Sequence, residues 1–167
     1  GGVGGYAELL GGIGYRLQLT REGRLALLPA LTIGGAGGGA VDTGGGFVAR
    51  ANLGLEYRLS PNLNIIMDGG YLTAPDGNFD TPYVGFNLAY VMKTFAQDQK
   101  GAPLTETHFI QTNKWRFRPA HQWYFDAQRK NSSSRDMQLL GGKIDWFIGD
   151  WWYLTGQGLS AYEGGAG

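Results

Sequence analysis

The sequence contains no cysteine. That excludes a disulfide scaffold and any thiolate metal or redox centre, and it suits a periplasmic or outer-membrane life. Charge is scarce, at 17% of residues against roughly 25% in ordinary soluble domains. Lys+Arg and Asp+Glu balance at 14 each, so no basic surface for nucleic acid is expected. There are only two histidines. No grouping of histidine with carboxylates points to a transition metal, and no cofactor is expected. No apolar run approaches the roughly 18 residues of a membrane-spanning helix. The chain opens on "GGVGG" and not on a basic stretch followed by an apolar one. An exported protein would therefore be represented here by a processed or trimmed chain.

What the sequence does hold is glycine, 30 of its 167 residues, and aromatics at 13%. The usual glycine share is about 7%. The length suits one domain, 1–167. The segment "FVARANLGLEYRL", Phe47–Leu59, carries the dominant signal. Phe47, Ala49, Ala51, Leu53, Leu55, Tyr57 and Leu59 are apolar, whereas Val48, Arg50, Asn52, Gly54, Glu56 and Arg58 are mostly polar or tiny. Alternate side chains of a strand point to opposite faces, so this is a strand with one apolar and one charged side.

The pattern recurs. It predicts strands over Tyr6–Thr20, Arg24–Ile33, Phe47–Leu59, Leu63–Leu72, Pro82–Thr94, Lys114–Gln128, Met137–Ile148 and Trp151–Tyr162, eight in all and no helix. The facing of the last is open, because Trp151, Tyr153 and Leu159 compete with Trp152 and Leu154. "TREGR", "SPN" and "GD" are short turns. "GGAGGGAVDTGGG" is predicted to be a flexible outer loop, "TAPDGNFDT" and "RKNSSSRD" are loops, and 96–106 is an irregular connecting segment. Pro29 and Pro119 fall inside strands and each remove a ladder hydrogen bond, for which a bulge is the expected accommodation.

Which face is inside follows from volume. Eight strands enclose a space only just wide enough for side chains. The polar faces carry Gly12, Gly14, Gly54, Gly70, Gly85, Ala26, Ala30 and Ala89 among their charges, and small residues fit that space. Tryptophan, tyrosine, phenylalanine and leucine of the apolar faces would overfill it. Turned outward, they make a lipid-facing band with interfacial aromatics. Leu53, Leu55, Phe86, Leu88, Ile144 and Trp146 are expected to face lipid. The expected fold is an all-β, eight-stranded antiparallel up-and-down transmembrane barrel. Short and long connections alternate, as in barrels with short periplasmic turns and long outer loops. Closing the barrel brings the chain's own ends to the long-loop side, so a circular permutant or an excerpt is expected.

This pattern resembles the small eight-stranded outer-membrane barrels of Gram-negative bacteria, the class that includes the OmpA membrane domain, OmpX and the lipid A-modifying enzymes. The resemblance is architectural and spans nearly the whole chain. "YVMKTF", Tyr90–Phe95, is similar to the aromatic-ended signature of such barrels, although Phe95 has the opposite parity from Tyr90 and Met92. It implies a bacterial outer-membrane location and membrane lipid or lipopolysaccharide as neighbour. Other envelope proteins would be met through the loops, in a structural or anchoring role.

Glu8, Arg16, Arg50, Glu56, Asp68, Arg116, Arg118, Asp126, Lys143 and Asp145 are expected to form an ion-pair network in the lumen, with Arg58 and Lys93 on the same face. Unpaired, each would cost several kcal/mol; a polar pathway for a small solute is the alternative use of these charges. His121, in "RPAHQWYF", is the candidate catalytic group of a lipid A- or phospholipid-modifying enzyme. Ser132, Ser133 and Ser134 lie in the following loop, and Asp126 is near but of opposite parity. As a bland alternative, His121 anchors at the interface beside Trp115 and Trp123. His108 is expected on turn-side surface. The glycine run lacks the Lys-Ser/Thr ending of a phosphate loop. Asp76, Asn78 and Asp80 lack the closing Glu of a calcium loop, and a turn is expected. A soluble lipocalin-like binder, with the faces inverted, is the third reading.

Overall fold

The computed structural model describes residues 5–93, 114–128 and 134–164. Its strands are β1 (Ala7–Tyr15), β2 (Leu17–Gln18), β3 (Leu25–Gly37), β4 (Phe47–Arg58), β5 (Leu63–Thr73), β6 (Asp80–Lys93), β7 (Lys114–Gln128), β8 (Ser134–Ile148) and β9 (Trp152–Glu163). Each pairs antiparallel with its neighbours, and β1 pairs with both β9 and β3, which closes the sheet. The result is an eight-stranded closed barrel with a two-residue extra strand, since β2 continues β1 along β3.

Pairing partners can be followed once around the wall. Leu17 faces Leu27, then Leu55, Met67, Phe86, His121, Leu140, Ser160 and finally Ala7. The circuit returns ten positions from its start, from residue 17 to residue 7. With eight strands, that stagger corresponds to a strand tilt of about 40° and a backbone radius of roughly 8 Å. The same circuit stays on the outer face throughout, so the alternation holds in each strand as far as the bulges.

Both interior prolines break pairing without shifting register. Gly14 pairs with Ala30 and Leu17 with Leu27, but Tyr15 has no rung opposite Pro29. Pro29 has no N–H to give, and here the first predicted strand divides into β1 and β2. In the same way Asn87 pairs with Ala120 and Tyr90 with Phe117, with two rungs missing around Pro119. Bulges expected at these prolines are therefore lost rungs. The bulges lie elsewhere, between Tyr124 and Ala127 and between Gln138 and Leu139.

Strands β3 and β8 run longer than their alternation suggested, taking in Gly34–Gly37 and Ser134–Asp136. The facing of β9 is settled: Tyr153, Thr155, Gln157, Leu159 and Ala161 are buried, while Trp152 and Leu154 are exposed.

The glycine-rich connection is not a free loop. Residues 38–46 fold back over one end of the barrel, where Val41 is buried with Phe79, Leu72, Val48 and Tyr6. Gly44 has a φ of 58°, and a Cβ there would strike the backbone carbonyl of Asp76 in the neighbouring connection. Asn78 Nδ2 donates to Asp42 Oδ2 at 3.0 Å across the two loops. Tyr6 and Ala161, near the ends of the described chain, are hydrogen-bonded at this same end. The short turns around Thr20–Gly23, Ser60–Asn62 and Gly149–Trp151 lie at the other. Lys93 and Lys114 pair there; residues 96–106, His108 and Phe95 lie outside the described residues.

Candidate functional site: the charged interior

A radius of roughly 8 Å leaves room for side chains and little else. Two glycines make that room. At Gly14 a Cβ would run into the ring of Tyr153, and at Gly85 into the carboxylate of Asp68. Bulky polar groups of non-adjacent strands meet across the interior in three layers.

Towards the looped end, Arg50 donates to Glu8 Oε1 at 2.5 Å. The Glu8 carboxylate also accepts from Tyr6, Tyr124 and Gln157, each at 2.8 Å. Arg50 also bonds the Tyr124 hydroxyl and donates to Gln122 Oε1 at 3.2 Å. Its guanidinium carbon lies 4.6 Å from the centroid of the Tyr83 ring, close enough for cation–π attraction.

In the middle, Lys143 Nζ donates to Asp68 Oδ2 at 2.6 Å, and Asn87 Nδ2 donates to Asp68 Oδ1 at 3.0 Å. Towards the short turns runs a ladder of alternating sign. Arg16 Nε and Arg116 Nη1 donate to Glu56 at 2.8 and 2.6 Å. Arg116 Nε and Arg118 Nη2 donate to Asp145 at 2.6 and 2.8 Å. Arg116 is only 1% exposed and lies over the rings of Phe147 and Tyr153. Charge-assisted bonds of this kind are the strong ones.

Nine of the ten residues expected in the network are joined to it: Glu8, Arg16, Arg50, Glu56, Asp68, Arg116, Arg118, Lys143 and Asp145. Asp126 is not. It is exposed, with a φ of 51°, in the bulge between Tyr124 and Ala127. The extra residue there reverses the alternation, and its backbone N–H donates to Asp136 Oδ1. Arg58 is also exposed, at the end of β4. Gln122, Gln157, Asn87 and Thr155 join the network although they carry no charge; Gln122 has the parity of Arg116 and Arg118, which was the available signal.

The outer face carries the residues expected there. Leu53, Leu55, Phe86, Leu88 and Ile144 are exposed, and Trp146 is half-buried against Trp115, with ring centroids 6.1 Å apart. His121 is also on the outer face, half-buried, with Nε2 at 2.6 Å from the Tyr162 hydroxyl. Tyr162 donates to Gln138 and Gln138 to Glu163, each at 2.7 Å. Asp126 does not hydrogen-bond to His121; Ser134 is exposed at the start of β8, and Ser132 and Ser133 lie outside the described residues. Asp76 and Asn78 lie in the connection from β5 to β6, where Gly77 N–H donates to Ala74. Among the described residues no group of His, Cys, Asp and Glu could hold a metal ion.

No family model matches this chain, and neither a curated protein nor a solved structure matches it.

Proposed function

We propose that the protein is an integral barrel of the bacterial outer membrane with a lumen plugged by ion pairs. Its role is structural or anchoring, with the looped end as the surface that meets other envelope proteins. The observation that carries this reading is the outer wall. Large apolar side chains are exposed on every strand of the barrel, among them Leu9 at 73%, Leu31, Leu53, Met67 at 64%, Phe86, Phe117, Leu140 and Leu154. A soluble monomer rarely exposes so large a continuous apolar surface.

Aromatics sit at both rims of this band. Tyr15, Tyr57, Tyr90, Trp115 and Trp152 lie towards the short turns, and Phe47, Tyr71, Trp123, Phe125 and Tyr162 towards the loops. Phe47 to Tyr57, and Trp115 to Phe125, are ten residues apart along tilted strands. That spacing is roughly 25 Å along the barrel axis, the height of the apolar band of outer-membrane barrels. Membrane lipid or lipopolysaccharide is the neighbour such a belt requires. A soluble lipocalin-like binder needs the opposite, an apolar interior around its ligand.

The test is folding from urea. Diluted into phospholipid vesicles, the chain is expected to gain β-structure and protease protection; diluted into buffer alone, it is expected to aggregate. A monomeric, folded species in detergent-free buffer would end the membrane reading. The enzyme reading has one favourable observation, the chain His121–Tyr162–Gln138–Glu163 on the outer wall. It expects a mass change in lipid A or phospholipid of producing cells, lost on His121→Ala.

A further inference from the structure

The charges inside the barrel do not balance. Arg50 is matched by Glu8, and Lys143 by Asp68. The ladder at the short-turn end has three guanidiniums, Arg16, Arg116 and Arg118, for two carboxylates, Glu56 and Asp145. One guanidinium at this end therefore has no carboxylate of its own, and the Arg16 side chain is still 14% exposed at the mouth.

The ladder borders a cavity of about 260 Å³ at the short-turn mouth. Arg16, Arg58 and Arg116 line it, together with Asn64, Glu56 and Asp150. Arg116 uses Nε on Asp145 and Nη1 on Glu56. Its Nη2 is buried and has no partner, and the same holds for Asn64 Oδ1. Glu56 is already shared between Arg16 and Arg116. What the cavity lacks is therefore negative charge and an acceptor for Arg116 Nη2.

We infer that the short-turn mouth of the barrel is a binding site for one small oxyanion. Arg116 Nη2 donates to it from the floor, Arg16 and Arg58 flank it, and Asp150 opposes it from the rim. Guanidiniums suit oxyanions because their fixed donors match the oxygen geometry. Asn64 Oδ1 can accept the acid proton of a hydrogen phosphate, so inorganic phosphate is the probe of choice. The site lies inside the wall and does not depend on what surrounds the barrel.

The experiment is a calorimetric titration of the folded chain with inorganic phosphate, at constant ionic strength. The expected result is saturable binding of one phosphate per chain. Arg58→Gln should weaken it by about tenfold or more, and Asp150→Asn should strengthen it. Both residues are exposed, so neither variant threatens folding. Arg24→Gln is the control, since Arg24 is an exposed arginine paired with Glu22 outside the cavity, and it should change nothing. Failure to saturate at phosphate concentrations on the order of tens of millimolar, or an equal loss in Arg58→Gln and Arg24→Gln, would overturn the inference and leave water as the occupant.

Discussion

Arg116 holds the short-turn half of the interior together. Its guanidinium is shared by Glu56 and Asp145, two carboxylates from different walls. Removing it leaves both carboxylates short of a partner in a dry space. Arg116→Met is therefore expected to destabilise the barrel by about 2–3 kcal/mol through lost charge-assisted hydrogen bonds, with Glu56 left to Arg16 and Asp145 to Arg118, read from urea unfolding in vesicles. The triple replacement Arg116→Met, Glu56→Gln, Asp145→Asn should lose more than Arg116→Met alone, because it also takes from Arg16 and Arg118 the carboxylates they shared with Arg116. Purely additive costs would mean that the ladder is not a coupled unit. Asp126 makes the contrast. It carries the same charge as Asp145 but sits exposed in a bulge, so Asp126→Asn should stay within about 0.5 kcal/mol of the parent.

At the scale of elements, the two prolines and the folded-over loop are the irregular parts. The β6–β7 ladder loses its rungs around Pro119 while keeping register. The amide of Leu88 should exchange hydrogen faster than those of Phe86 and Tyr90, which point to the same neighbouring strand and keep their rungs. Uniform protection along β6 would contradict the lost rungs. The loop over the barrel end depends on Gly44, whose positive φ and contact with Asp76 leave no place for a side chain. Gly44→Val should release residues 38–46 to proteolysis, at a conformational cost of about 1–2 kcal/mol, while the barrel itself stays folded.

These elements also mark how far the sequence could be read. Strand β7 has the bounds that alternation predicts, Lys114–Gln128, because its apolar and polar residues separate cleanly at a period of two. Arg50 and Glu56 were legible as one face for the same reason. Asp126 was misplaced because a bulge adds one residue and the parity beyond it reverses. The loop over the barrel end was missed because glycine-rich stretches have no period, and Val41 alone carries its apolar contact. Partners within the network were also hidden. Glu8 meets Arg50 only because the wall closes with a stagger of ten, and no local pattern encodes that stagger.

For the whole molecule, one arrangement accounts for composition, topology and packing together. The charges inside are paired across a narrow axis, with one arginine in surplus at the short-turn end, and the other described charges lie in the turns and loops or at the strand ends beside them. Some of the glycine leaves space for bulky polar side chains of the neighbouring strand, as Gly14 does for its pairing partner Tyr153. Aromatics are abundant because the outer band has two rims. An interior filled in this way should not conduct: the folded protein in a planar bilayer is expected to give no steady current, and a stable open channel would contradict the plug. The central claim is that the outer wall sits in hydrocarbon, and the most direct measurement is collision accessibility of spin labels on the vesicle-reconstituted protein. Labels replacing Leu9, Leu53, Met67 and Leu140 should relax with dissolved oxygen and ignore a water-soluble nickel chelate, while a label at Arg21 in the short turn should respond to the chelate. Equal access of the chelate to all five positions would place the wall in water and contradict the account.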